Sequence, residues 1–246
     1  MVAPLSGQQA ARQAAATTNG KVNDLNGNWA GVEVNDAGTN LTEAGGDATQ
    51  GITAEWIVPT IVSHKYSGTA SNWVGIGGGS LGGNLVQLGT QEQCVSLPSP
   101  FGSLSFGLIF YSAWWEVVGG PDTTNASHAN PQGTETLISM AIHPGNLMQA
   151  EVDPAPWIGP STYLLSMVDM STNASFVQLL KGETGVVAAG RKNTTAEVIS
   201  IEATTVNGAI SALPQLSPVA VAQAQLSSAG GGVALDGHWW GARFQH

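Results

Sequence analysis

From Trp29 onward the chain alternates short runs of β-branched, aromatic and aliphatic residues with clusters of Gly, Pro, Asn and Ser. The runs cover 29–34, 52–58, 72–76, 85–88, 105–118, 137–142, 148–152, 163–169, 175–180 and 196–202, with two later candidates at 209–213 and 219–226. Short runs bounded by turn formers read as strands, and few segments hold a 3.6-residue period. With 32 Gly and 12 Pro, long helices find little room. The pattern predicts an all-β chain, an antiparallel sandwich or barrel, forming one domain over 26–246 with no internal linker and no solenoid-length repeat. Residues 1–25, rich in Ala, Gln, Thr and Asn, read as a flexible tail, with a short helix over 8–16 as the alternative.

The longest run, 105–118, is informative about its own surroundings. On a strand, Phe106, Leu108, Phe110, Ser112, Trp114, Glu116 and Val118 share one face, and Gly107, Ile109, Tyr111, Ala113, Trp115 and Val117 the other. Both faces are apolar and aromatic, which predicts a central strand. Glu116 then sits beside Trp114 on a largely apolar face, where a carboxylate is either paired or functional.

Composition narrows the function classes. Only 10% of the 246 residues are charged, against about 25% in ordinary soluble proteins. Lys and Arg total 7 and Asp and Glu 17, for a net charge of -10. That balance argues against nucleic-acid binding and against a polybasic membrane anchor. No apolar run approaches the roughly 18 residues of a membrane-spanning helix. At about pH 3, where carboxylates near their reference pKa of about 4 are mostly protonated, the positive charge comes from these 7 Lys and Arg and from 5 His. Self-repulsion is then modest, which fits a protein that meets acid. The single cysteine, Cys94, excludes an intrachain disulfide, so core packing must supply the stability. Sequons at Asn40, Asn125, Asn173 and Asn193 are compatible with secretion. No signal peptide is visible in 1–16; for a secreted protein, the numbering then starts after the signal and Met1 is an expression start.

Several motifs point nowhere. Residues 78–82 match G-x-S-x-G, and 77–82 match G-x-G-x-x-G. A nucleophile elbow or a phosphate loop needs a helix to follow. Here Asn84-Leu85-Val86-Gln87-Leu88 follows and looks like a strand, so a hairpin is expected. His64, His128, His143, His238 and His246 form no ligand pair at metal-binding spacing, and no metal or other cofactor is expected. There is no Asp-Thr-Gly or Asp-Ser-Gly for an aspartic-peptidase pair, and Cys94 reads as a bystander.

One ordered constellation does carry chemistry. It comprises Gly27-Asn28-Trp29-Ala30-Gly31, then Ile52 to Pro59 (ITAEWIVP), then Asn72-Trp73-Val74-Gly75-Ile76-Gly77 with Leu85-Val86-Gln87-Leu88-Gly89. Tyr111-Ser112-Ala113-Trp114-Trp115-Glu116 follows, and Thr195-Ala196-Glu197-Val198-Ile199 closes it. This set, spread over about 27–225, resembles the glutamic peptidases (eqolisins), acid endopeptidases of fungi with bacterial and archaeal relatives. The resemblance implies a concanavalin-like sandwich of two large bent antiparallel sheets, with the active site on the concave face of one. It implies a catalytic pair of Gln87 and Glu197, with Trp73, Trp114 and Glu116 lining the substrate cleft. The partner is a protein or peptide substrate, and the enzyme is expected to be secreted, monomeric and active in acid. Residues 1–25 would then be the remnant of a propeptide junction.

The residue types suit that chemistry. A glutamate can take a proton from water and return it to the leaving amine. A glutamine offers an amide oxygen to orient the water and an NH2 for the oxyanion, and neither titrates in acid. Two other glutamates compete. Ala54-Glu55-Trp56-Ile57-Val58 copies the catalytic string more closely than Ala196 to Ser200 does, but it precedes Gln87 and ends in Val-Pro like an early structural strand of the family. Glu202 is the other; on an unbroken strand it faces away from Glu197. The sequence also departs from the family at Gly77, Ser112 and Gln91, where Asp is frequent, and at Val198, where Trp follows the catalytic glutamate. These losses predict an altered pH optimum, and the missing disulfides suggest a bacterial or archaeal branch. Residues 230–246, with Trp239-Trp240, have no counterpart there. Two other readings stand beside this one: a sandwich binding sugar or peptide through its 8 Trp, and a glycosidase using two of Glu55, Glu116 and Glu197.

Overall fold

The computed structural model describes residues 29–35, 51–63, 67–77, 85–97, 106–118, 135–155, 157–159, 162–181, 195–203, 205–206, 209–210, 213–227 and 233–234. The described elements are all strands: β1 (Trp29–Asn35), β2 (Gly51–Ile57), β3 (Ile61–Ser63), β4 (Gly68–Gly77), β5 (Leu85–Leu97), β6 (Phe106–Val118), β7 (Thr136–Ile138), β8 (Leu147–Pro154), β9 (Tyr163–Asp169), β10 (Ala174–Leu180), β11 (Thr195–Ala203), β12 (Thr205–Val206), β13 (Ala209–Ile210), β14 (Gln215–Leu216), β15 (Val221–Ser227) and β16 (Val233–Ala234). Residues 1–25 and 235–246 lie outside the described residues, as do 78–84 and four of the five histidines.

Two six-stranded antiparallel sheets dominate. The first runs β1-β11-β4-β5-β6-β7 and the second β10-β9-β8-β2-β15-β16. Alternation decides which side chains meet between them. Val74 and Ile76 of β4, Val86 and Leu88 of β5, Ala113 and Trp115 of β6 and Val198 of β11 pack against Ile52, Ala54 and Trp56 of β2. Met148, Ala150 and Val152 of β8 and Tyr163, Leu165 and Met167 of β9 complete the same buried cluster. This is the expected sandwich.

Three departures from the sequence pattern have local causes. The 85–88 run extends to Leu97, because Gly89 to Gln93 is too polar to read as a strand yet pairs residue for residue with β4 and β6. The 137–142 run stops at Ile138; beyond it Met140 N–H turns back to the Ile138 carbonyl, and the chain heads into a turn with Gly145 at φ 85°. The strand 106–118 lies between β5 and β7, but β7 pairs only with Ala113 to Trp115, and Leu108 and Phe110 farther along are half exposed. The hairpin expected in place of an elbow is present: Gly77 pairs directly with Leu85, and β5 is a strand.

The first sheet is also covered on its other face. Every residue of β4 is buried, and Trp73, Leu85, Trp114 and Ile199 form a second apolar cluster on the side away from the sandwich interior. Gly89 makes that cluster possible. It sits between Trp73 and Trp114 in register, and a Cβ there would overlap the Asn72 carbonyl oxygen and lie 2.6 Å from the Trp73 Cβ. Any larger residue forces the two strands apart beneath both tryptophans.

Candidate active site

Antiparallel register stacks residues of successive strands into rows across a face. On the face of the first sheet opposite the sandwich interior, one row reads Glu33 (β1), Glu197 (β11), Gly75 (β4), Gln87 (β5) and Glu116 (β6). The next reads Ile199, Trp73, Gly89, Trp114 and Leu137. A third reads Glu202, Ser71, Gln91 and Ser112. All five residues singled out from sequence, Gln87, Glu197, Trp73, Trp114 and Glu116, therefore fall in two adjacent rows.

Gln87 and Glu116 are both buried, and Gln87 Nε2 donates to Glu116 Oε2 at 2.9 Å. That bond fixes which end of the amide is which. Gln87 Oε1 is left buried with no hydrogen-bond partner. A buried unsatisfied acceptor is costly and rare; at a site, it is an acceptor waiting for a donor. Glu116 thus acts first on Gln87, orienting it, which the sequence did not reveal.

Between Glu197 and Gln87 in the row stands only Gly75. Two strand spacings separate their backbones, about 10 Å, and the intervening position has no side chain. A Cβ at Gly75 would come within 2.8 Å of Leu85 Cδ1, 2.9 Å of Trp73 Cζ3 and 3.2 Å of Gln87 Cβ. Leu85 and the Trp73 ring edge therefore close over Gly75, with Gln87 beside them, so the row tolerates no side chain at this position.

The competing glutamates separate clearly. Glu55 is on β2 of the second sheet, where Ile52, Ala54 and Trp56 fill the interior. Its side chain is on the reverse face and accepts from Gln149 Nε2 at 3.0 Å. The whole sandwich lies between it and Gln87. Glu202 corrects the expectation from alternation. β11 carries an irregularity between Ile199 and Glu202, so Ile199 pairs with Trp73 but Glu202 pairs with Ser71. Three steps on β11 match two on β4, and the extra residue restores Glu202 to the register parity of Glu197. It lies two rows from Gln87. The glycosidase reading fares poorly: Glu55 is across the sandwich, and Gln87 rather than a carboxyl is next to Gly75 opposite Glu197.

Two further acidic features escaped the sequence reading. Gln91, where an acidic residue is frequent in the family it resembles, donates from Nε2 to both carboxylate oxygens of Glu135, at 2.9 and 3.1 Å. A neighbouring segment thus supplies a carboxylate beside that position. On the interior face, Glu92 is fully buried. Its Oε2 accepts from Asn72 Nδ2 at 3.1 Å and its Oε1 from Thr90 Oγ1 at 3.3 Å, while Thr90 Oγ1 accepts from Trp56 Nε1 at 2.9 Å. Burial pushes the Glu92 pKa from 4.5 up to about 8, against the lowering effect of these bonds. The signal was available: Val86, Leu88, Thr90, Glu92 and Cys94 share one phase of β5, and its first members are core residues.

The model of the peptidase A4 family matches residues 27–242. The chain belongs to that family. It is a glutamic-type peptidase, and its substrates are proteins or peptides. No curated protein gives a significant match. Among solved structures, the peptidase is similar to scytalido-glutamic peptidase in complex with a peptide-based transition-state analogue, with a TM-score of 0.57 and 19% identity, covering 85% of this chain and 83% of that one. It is also similar to SCP-B, a member of the eqolisin family in complex with the tripeptide Ala-Ile-His, with a TM-score of 0.54 and 19% identity, again over 85% and 83%. At that identity these neighbours establish the fold: an eqolisin β-sandwich.

Proposed function

We propose that the peptidase is an acid endopeptidase in which Glu197 and Gln87 act on the scissile peptide bond. The Glu197 carboxylate takes a proton from a water molecule as the water oxygen attacks the carbonyl carbon. The carbonyl becomes a tetrahedral oxyanion. Gln87 Oε1 accepts the second proton of the attacking water as a hydrogen bond, and the Nε2–H not engaged by Glu116 donates to the oxyanion. Glu197 then delivers its proton to the leaving nitrogen as the C–N bond breaks. The observation that carries this reading is the Gln87 amide: held by Glu116 at one end, it presents a buried, unpartnered acceptor at the other, in the row that contains Glu197. A reference Glu pKa near 4.3 makes the base available in mild acid without large tuning. The low charge density, the single cysteine and the sequons support a secreted monomer of bacterial or archaeal type, working in an acidic medium.

The test is hydrolysis of a denatured protein substrate from about pH 2 to 7, with pepstatin present to silence any aspartic peptidase. Pepstatin-resistant cleavage that is greatest below about pH 5 is expected. Cleavage absent throughout, or confined to neutral pH, contradicts the proposal.

A further inference from the structure

Glu197 has a second neighbour in its row that the proposed chemistry does not use. On the side away from Gly75, its register partner is Glu33 of β1. Partners in an antiparallel ladder fall on the same face, with Cβ atoms ordinarily about 4.5–5.5 Å apart. Val32, next along β1, partners Val198, which belongs to the interior cluster. Glu33 therefore has the opposite parity, that of the Gln87 row. Two acids in direct register are unfavourable, because like charges so placed repel. The chain otherwise avoids the arrangement. Glu55 partners Ala222 and Gln149, Glu202 partners Trp29 and Ser71, and Glu116 partners Gln87. No other two acids in the described ladders are register partners.

The exception falls in the one row that carries an independent mark of function: Gln87, 5% exposed, with its Oε1 unpartnered. Local rules are broken mainly where function requires it. Nothing on the face offsets the repulsion. Its three rows hold no Lys, Arg or His among the described residues, and β4, on the other side of Glu197, has no titratable group in its ten residues. The other acids of the face are Glu202 on β11, Glu116 beyond Gln87 on β6, and Glu135, held by Gln91. From the second sheet, β2 and β15 meet the interior side of β11; β15 carries no charged residue, and Glu55 is on the reverse face of β2. We propose that Glu33 titrates as one unit with Glu197, the pair sharing protons, and thereby sets the lower pH limit of the peptidase. This rests on the proposed function, in which Glu197 must be ionised to take the proton from water. Once one member of the pair is ionised, ionisation of the other is opposed, so the two protons leave in separate steps. Ionisation of Glu197 then spreads over a wider range, with its midpoint moved up. At intermediate screening, a charge about 5 Å away separates the steps by about 1–2 pH units, and the midpoint moves by half of that. Glu33 is thus a positioning residue for a proton, acting through Glu197 rather than on the substrate.

The experiment follows the Glu197 carboxyl of the full chain by carbon-13 NMR from about pH 2 to 7, its resonance assigned by its absence in Glu197→Gln. In wild type it should titrate more gradually than a single proton does. In Glu33→Gln it should titrate in one ordinary step, with a midpoint about 0.5–1 pH unit lower. Glu33→Asp keeps the charge and should stay close to wild type. On a peptide substrate, the acid limb of kcat/KM should steepen and move down by the same amount in Glu33→Gln and stay in place in Glu33→Asp, with the circular dichroism spectrum of both unchanged. A Glu197 midpoint and slope unaltered by Glu33→Gln overturn the proposal. So does an equal shift in Glu33→Asp and Glu33→Gln, which marks an effect of packing rather than charge. The NMR titration needs no turnover, which keeps this test apart from that of the catalytic assignment. A midpoint that moves while the acid limb stays in place supports the shared titration and contradicts Glu197 as the base.

Discussion

Raising the pH from about 4 to 8 removes on the order of 5 kcal/mol of folding stability, and Glu92→Gln abolishes most of that loss. The direction follows from linkage. Glu92 is raised from 4.5 to about 8 in the folded chain by burial. Below 4.5 the carboxyl is protonated in both states, and its contribution is fully present. Between 4.5 and 8 the unfolded chain releases the proton while the folded chain keeps it, so stability falls steadily. Above 8 both states are ionised and the fall ends. Each pKa unit is worth about 1.4 kcal/mol, which gives the figure above as an order of magnitude. Among the described residues, the titratable groups coupled to or facing Glu92 are Tyr111, its register partner on β6, and Cys94, two residues along β5. Neither supplies a cation, and the Tyr111 pKa is itself raised, chiefly by burial. Gln keeps a neutral amide where Asn72 and Thr90 make their bonds. Urea unfolding at pH 4, 6 and 8 reads the effect. A wild-type curve flat between pH 4 and 8, or a Glu92→Gln curve as steep as wild type, contradicts it.

The same sign recurs elsewhere. Glu151 and Asp153 on β8 are also raised, both chiefly by burial, with Asp153 repelling Glu151. Acid denaturation usually comes from carboxylates stabilised in their charged form. Here Glu92, Glu151 and Asp153 all favour the neutral form. That sign is the one that favours the folded chain in acid, where the proposed reaction runs.

The second large effect is on catalysis. Gln87→Ala is expected to lower kcat by about 10²–10³, the cost of one oxyanion donor, while leaving the circular dichroism spectrum unchanged. The side chain lies on the site face, outside the main core cluster, so its truncation removes little core packing. It does strip Glu116 of its donor at 2.9 Å, and some loss of stability accompanies the loss of rate. An activity loss below about fivefold with the fold intact would remove Gln87 from the mechanism.

Much of the fold was legible because period-2 alternation and turn residues are local signals. The strand 163–169 has the bounds its sequence suggests, and most others differ by a residue or two at either end. What failed was not local. The polar half of β5, Gly89 to Leu97, becomes a strand because β4 and β6 flank it on both sides. Glu202 changes parity through an irregularity in β11 that no periodicity announces. Glu92 follows the core phase of β5 against its own chemistry, and only its Asn72, Thr90 and Trp56 neighbours make that tolerable. The candidate site was proposed through family resemblance, since each motif alone is a few apolar residues around one polar one. Register then explains why those scattered motifs belong together: Glu197, Gly75, Gln87 and Glu116 come from four strands and form one row.

The most direct test is kcat/KM at about pH 4 for Glu197→Gln beside Glu55→Gln and Glu202→Gln. The account predicts that Glu197→Gln loses at least about 10³-fold, consistent with removal of a general base. Glu55→Gln, across the sandwich, should keep wild-type activity, and Glu202→Gln, two rows away, should change it by less than about tenfold. Substantial activity surviving Glu197→Gln, with loss in either of the others, would contradict the assignment of the base and move the chemistry to a different glutamate.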